Sequence, residues 1–115
     1  MMLPITPMGA PRQTQRDRWQ KRPVIVRYHA YRDQLNLLLP GYELGLSVHL
    51  VFHIEVPKSY SKKRRAGLIG TLHDQKPDID NLAKGFMDAF HSEDKHVAVL
   101  HCEKYWAETG AVEIL

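Results

Sequence analysis

Between positions 45 and 56 the chain alternates. Leu46, Val48, Leu50, Phe52, Ile54 and Val56 fall at every second position, separated by Ser47, His49, Val51, His53 and Glu55. Successive side chains of a strand leave opposite faces of a sheet, so this period predicts a strand with one apolar face, which Pro57 stops. That face must be covered, and two helical stripes are available. Tyr28, Tyr31, Leu35 and Leu38 recur at helical spacing around Arg32, Asp33 and Asn36, up to a stop at Pro40-Gly41. Leu82, Phe86, Ala89 and Phe90 form the second stripe.

Shorter elements fill in the rest. Pro23 to Arg27 reads as a short strand or as the lead into the first helix. Ser59 is placed to cap a short helix carrying Lys62, Lys63, Arg64 and Arg65, ended by Gly67 and Gly70. Residues 96–106, with Val97, Val99 and Leu100, predict a strand; Thr109-Gly110 predicts a turn and Ala111–Leu115 a closing strand, so the last two strands are expected to form a hairpin. The expected fold class is α/β of the α+β kind: a small mixed sheet packed against helices, as a single domain over residues 1–115 with 1–22 a basic arm or loop.

Bulk properties narrow the function. A chain of 115 residues buries about two thirds of its unfolded surface, enough for one core. No apolar run approaches the roughly 20 residues of a membrane span. The opening Met-Met-Leu-Pro-Ile-Thr-Pro lacks the basic-then-apolar order of a signal peptide, and Cys102 is the sole cysteine, which excludes an internal disulfide or a thiolate zinc cluster. A cytoplasmic location is expected. Residues 1–65 hold twelve Lys/Arg and four Asp/Glu, a net of +8; residues 66–115 hold four and nine, a net of −5. A basic half beside an acidic half suits a protein that grips phosphate with one surface and holds metal with the other.

The acidic half contains Lys76-Pro77-Asp78-Ile79-Asp80-Asn81-Leu82-Ala83-Lys84, with Asp94 a short way on. Two unit charges about 4 Å apart cost roughly 4 kcal/mol at an effective dielectric of 20, so crowded acids call for a shared proton, basic neighbours or a cation. Residues two apart point the same way in an extended segment and nearly oppositely in a helix. A shared cation therefore predicts Asp78 to Asp80 extended and a helix starting at or just after Asp80, which is a good N-cap. Lys84 and Asp88 then follow on Asp80's face, and Asp94 comes from the turn after the helix. Oxygen ligands with open water positions suit Mg²⁺, with Mn²⁺ able to substitute. The alternative is that Asp80 only caps, Lys84 pairs with Asp80 or Asp88, and Asp78 and Asp94 are solvated.

This motif, continued by Asp88-Ala89 and Glu93-Asp94, resembles the RusA family of Holliday junction resolvases of phages and prophages. The likeness runs from about Pro11 to the C-terminus, through Pro57-Lys58-Ser59-Tyr60-Ser61-Lys62-Lys63-Arg64 and Glu103-Lys104-Tyr105-Trp106. The resemblance implies a small α/β domain with a mixed sheet, acting as a Mg²⁺-dependent homodimeric endonuclease that resolves four-way DNA junctions in recombination and repair. It implies Asp78, Asp80 and Asp94 as metal ligands, Lys84 as the catalytic lysine, and structural roles for Asn81 and Asp88. The chain departs from the family in a shorter connector before Asp94, Glu93 in place of Asp, and His96 in place of Gln.

Candidate phosphate contacts are Arg12, Arg16, Arg18, Lys58, Lys62, Lys63, Arg64, Arg65 and Lys76. Trp19, Tyr60, Tyr105 and Trp106 are candidates for stacking on exposed bases or for burial in a core or interface. Seven histidines are present, but none forms a helical His-x-x-x-His pair; His49 and His53 are expected to be two surface residues of the strand. The expected function is a crossover junction endonuclease acting on branched DNA. The alternatives are a non-catalytic DNA-binding module, a less selective flap or single-strand nuclease, and a nucleotide phosphohydrolase.

Overall fold

The computed structural model describes residues 1–11, 22–90 and 96–115. Its elements in chain order are β1 (Met2–Leu3), α1 (Pro23–Leu38), β2 (Ser47–Glu55), α2 (Lys62–Leu68), α3 (Ile79–Asp88), β3 (Val99–Ala107) and β4 (Ala111–Ile114). The alternating run is β2, and it lies inside a mixed sheet of order β1-β4-β2-β3. Leu50 and Phe52 are fully buried against Leu35 of α1, Leu82 and Phe86 of α3, and Val112 of β4. Burying a side chain the size of Phe52 or Phe86 contributes about 1.5–3 kcal/mol, so this layer of helix on sheet is the main source of cohesion.

Pro23 resolves the ambiguity at residues 23–27 in favour of helix. It occupies the first turn of α1, where its missing N–H costs nothing and its fixed φ suits the helix. The Leu39 N–H donates to the Leu35 carbonyl at 3.0 Å, and Gly41 then turns the chain at φ 72°, a value that disfavours any side chain.

The expected hairpin between the last two strands does not form. β3 pairs with β2 in parallel, in the register Leu50↔Cys102. β4 pairs antiparallel on the other edge of β2, with Phe52↔Val112. β2 is thus inserted between them. A two-strand step is about 10 Å, which the link 108–110 can span. The pattern of a hairpin and of this crossing are alike in sequence; the difference is that β2 is buried and needs partners on both edges.

Within residues 1–22, expected as a basic arm or loop, Met2–Leu3 form a strand instead. β1 pairs antiparallel with β4, Leu3 opposite Val112, and Leu3 and Ile5 are buried. The apolar start of the chain covers a sheet edge that would otherwise be open. The segment then runs across α3, where the Ala10 N–H donates to the Asn81 carbonyl at 3.1 Å. Arg12, Arg16, Arg18 and Trp19 lie outside the described residues.

The sheet has two unlike faces. Cys102, Lys104 and Trp106 share the face of Leu50 and Phe52, toward the helices. The opposite face carries His49, His53, His101, Glu103, Tyr105 and Glu113. There the Tyr105 hydroxyl, followed by the imidazoles of His49 and His101, holds the Glu103 carboxyl down to about 2. Among the described residues no helix is long and apolar enough to cross a membrane.

Gly85 shows how closely the N-terminal segment approaches α3. A Cβ at this position would sit 2.5 Å from the Met8 carbonyl oxygen. Glycine inside a helix normally costs about 1 kcal/mol relative to alanine. Here backbone overlap outweighs that gain, and overpacking typically costs 1–3 kcal/mol. Gly85→Ala is therefore expected to lower the unfolding free energy by about 1–2 kcal/mol in urea titrations; a more stable variant would contradict this packing.

Candidate functional site

The route into the acidic motif is set by the edge of β3. α2 is capped by Ser61, whose hydroxyl accepts from the Arg64 N–H at 3.2 Å, two residues later than the expected Ser59. After α2 the chain doubles back along β3. The Gly70 N–H donates to the Trp106 carbonyl at 2.9 Å, Trp106 N–H to Thr71 at 2.9 Å, and His73 N–H to Lys104 at 3.0 Å. The Lys104 ammonium then donates to the carbonyls of Gln75 and, at 2.7 Å, Pro77. The Lys76–Pro77 peptide is cis. These contacts carry the backbone to Asp78.

Asp78 is the N-cap of α3, with extended dihedrals φ −66°, ψ 146°. The helix thus begins at Ile79, earlier than the expected start at or after Asp80. Two positions inside a helix are separated by about 200° around the axis. Asp78 escapes that constraint because its own dihedrals are extended. An N-cap aspartate ordinarily spends its carboxylate on an amide of the first turn. Asp78 makes no such bond. Asp80 does part of that work instead, its Oδ1 accepting from the Asn81 N–H at 2.9 Å. Both acids are exposed, at the helix end where negative charge is favoured. Asp78 lines an open cavity with Gly9, Ala10, Lys76, Pro77 and Asn81.

Lys84 lies one turn beyond Asp80, with its ammonium 3.6 Å from the Asp88 carboxylate and about two thirds exposed (64%). Exposed i,i+4 pairs stabilise by about 0.3–0.5 kcal/mol, so Lys84 can change partners cheaply. Asp88 is fixed from its other oxygen, which accepts from the Tyr28 hydroxyl at 2.9 Å. Burial, and next that bond, raise the Tyr28 pKa well above its ordinary value. Asn36 ties the same two helices through its bond to the Ala89 carbonyl at 2.7 Å. Asp88 therefore braces α3 against α1. Asp94 lies outside the described residues.

The chemistry of the donors fits a hard divalent cation. The Asp78 carboxylate is uncommitted to capping, Asp80 retains an oxygen free of the Asn81 bond, and both face solvent. Carboxylates with open water positions are what Mg²⁺ takes.

The basic candidates separate by environment. Lys58, Lys62, Lys63, Arg64 and Lys76 are exposed, and the Arg64 guanidinium lies over the Tyr60 ring at 3.7 Å. Arg65 is turned inward, donating to the Val56 and Pro57 carbonyls at 3.0 and 3.1 Å. Trp106 is buried against His73, ring centroids 4.3 Å apart, and Tyr105 donates to Glu103 at 2.6 Å. Lys104 escaped the sequence reading as a site residue. Its signal was a lysine at an inward position of β3, between Cys102 and Trp106, where an apolar residue is the norm.

The family model described as "Endodeoxyribonuclease RusA" matches residues 4–115. The chain belongs to this family of endodeoxyribonucleases. Comparison with curated proteins and with solved structures produced no match.

Two outcomes are expected of the loop before Asp78. His73 is buried, and burial followed by the Lys104 charge lowers its pKa below the ordinary 6.5. The unfolded chain then binds a proton that the folded one refuses, so the stability from His73 is complete above about pH 6.5 and declines as pH falls below it. A His73→Phe chain should lack this part of the pH dependence in denaturant titrations. Lys104→Met removes two charge-assisted bonds, each of a kind worth about 1.5–3 kcal/mol when well shielded. With partial solvent screening a loss of about 1–2 kcal/mol is expected, with faster amide exchange across residues 75–78.

Proposed function

We propose that this protein is a Mg²⁺-dependent endonuclease that resolves four-way DNA junctions as a homodimer. The observation that carries the reading is the Asp78 carboxylate. It stands at the head of α3 next to Asp80, exposed and free of any capping bond, in a chain of the RusA family. A helix that needed only a cap would have used that side chain.

In this reading Asp78 and Asp80 hold Mg²⁺, or Mn²⁺ in its place, and Asp94 joins them by its position in the motif. The cation, when bound, lowers the pKa of water and neutralises charge on the scissile phosphate. Lys104 keeps the backbone before Asp78 in place through its two carbonyl bonds. Lys84 leaves Asp88 at small cost and sets its ammonium against the charge that develops on phosphate oxygens. Lys76, lining the same cavity as Asp78, meets the neighbouring phosphate.

Lys58, Lys62, Lys63 and Arg64 supply phosphate contacts from the start of α2, together with Arg12, Arg16 and Arg18; Arg65 contributes less, being engaged by its own chain. Phosphate contacts position DNA without reading sequence, which suits an enzyme that recognises branch geometry. Two symmetric incisions require two sites related by a two-fold axis, hence the homodimer. The setting that fits is the cytoplasm of a bacterial cell, in recombination and repair, with the gene carried by a phage or prophage.

Cleavage of a synthetic mobile four-way junction tests the reading. Paired nicks are expected with Mg²⁺ and none with EDTA. Asp80→Asn should lower the rate at least about 100-fold, the scale on which loss of one transition-state contact acts, while junction binding persists. Unchanged cutting by Asp80→Asn would remove the proposed site. Equal cutting of a linear duplex of the same sequence would make the protein a less selective nuclease, and binding without cutting would make it a DNA-binding module.

A further inference from the structure

The sheet face turned away from the helices holds a cluster that the nuclease site does not use. His49 of β2 and His101 of β3 are register partners, their rings 4.1 Å apart between centroids. The Nε2 atoms of both lie 3.0 Å from the same oxygen, Oε2 of Glu103. The other Glu103 oxygen accepts from the Tyr105 hydroxyl at 2.6 Å, which fixes the carboxylate plane. One ligand atom from each of His49, His101 and Glu103 lies within 4.8 Å of the other two. His53 is occupied elsewhere, 3.1 Å from Glu113.

We propose that His49, His101 and Glu103 form a second metal site, for a borderline-soft divalent cation of the zinc class, on the sheet face opposite the acidic helix. The ligand set is two imidazole nitrogens and one carboxylate oxygen, the set of open zinc sites. Metal–ligand bonds of about 2.0–2.1 Å in a tetrahedron place ligand atoms about 3.3 Å apart. The two nitrogen–oxygen separations are already near that value, and the two ligand nitrogens lie within 4.8 Å of each other. Side-chain exposures of 34% for His49, 59% for His101 and 32% for Glu103 leave the remaining coordination position open to water.

Ligand type separates this site from the one at α3. Imidazole favours zinc, cobalt or nickel, whereas carboxylates and water favour Mg²⁺. Tyr105 plays the part that outer hydrogen bonds play at metal centres, orienting the ligating carboxylate. The backbone supplies the rest, because parallel register holds His49 and His101 side by side on two strands. A bound cation would join β2 to β3 by a link independent of the core. The alternative is a pair of histidine–carboxylate hydrogen bonds sharing one oxygen, which binds no metal at low concentration.

The test is titration of the metal-stripped full chain with Zn²⁺ by calorimetry, in excess Mg²⁺ to occupy the acidic site. One equivalent is expected to bind at micromolar concentration. Co²⁺ should give the intense visible absorption of four- or five-coordinate ligation, and two of the seven histidines should shift in proton NMR spectra during the zinc titration. His101→Ala, at an exposed position, should weaken binding at least tenfold. An Asp78→Asn/Asp80→Asn double variant should bind zinc as the parent does. Failure to saturate at micromolar Zn²⁺, unchanged affinity in His101→Ala, or loss of binding in the double aspartate variant would each overturn the site. The histidine NMR shifts in the parent chain decide the matter if His101→Ala does not fold. None of these outcomes depends on DNA cleavage, so the nuclease reading stands or falls separately.

Discussion

β2 is bonded along both edges and buried through its centre, and the placement of the remaining elements follows from that. A buried strand must have its backbone N–H and carbonyl groups paired on each side. β4 takes one side antiparallel and β3 takes the other in parallel. Parallel pairing cannot be closed by a tight turn; it needs a crossover of a dozen residues or more. Residues 56–98 are that crossover. They contain α2 with the basic run, the loop beside β3, and α3 with Asp78, Asp80 and Lys84. The residues proposed for the nuclease site are carried by the connection that the parallel pair obliges the chain to make.

Within that connection, polar contacts set the detail. Glu103 and Lys104 are neighbours in the chain and work on opposite faces of β3. Lys104 reaches toward the helices and holds the carbonyls of residues 75 and 77. Glu103 points the other way and meets His49 and His101. Strand alternation separates them, so one strand supports the loop entering the acidic motif and also builds the histidine face. The helix pair is braced in a similar manner, with Asp88 shared between Tyr28 and Lys84. Asp88, for which the family resemblance implied a structural role, is here a strut between the two helices.

Local periodicity made much of the fold legible. The alternating run became β2, and the stripes at Tyr28–Leu35 and Leu82–Phe90 became the buried sides of α1 and α3. The motif spacing led to the RusA family, which the match over residues 4–115 bears out. Pairing was not legible. Strand partners are chosen by which edges need covering, and the hairpin expected between β3 and β4 gave way to β2 for that reason. The edge strand at Met2–Leu3 was hidden for the same cause, since two residues carry no periodicity. Lys104 and the union of His49 with His101 depend on strand register, which fifty intervening residues leave open.

Residue order alone determined most of the kinds of element, the apolar faces that must meet, the acids at 78 and 80 at a helix start, and the family. These are short-range matters, set by side-chain period, by proline and by spacing. Tertiary structure decided which strand stands at the centre, which lysine holds the loop before Asp78, and which histidines face one carboxylate. Those outcomes require backbone groups far apart in the chain to satisfy one another once water is excluded, and no local pattern encodes that choice.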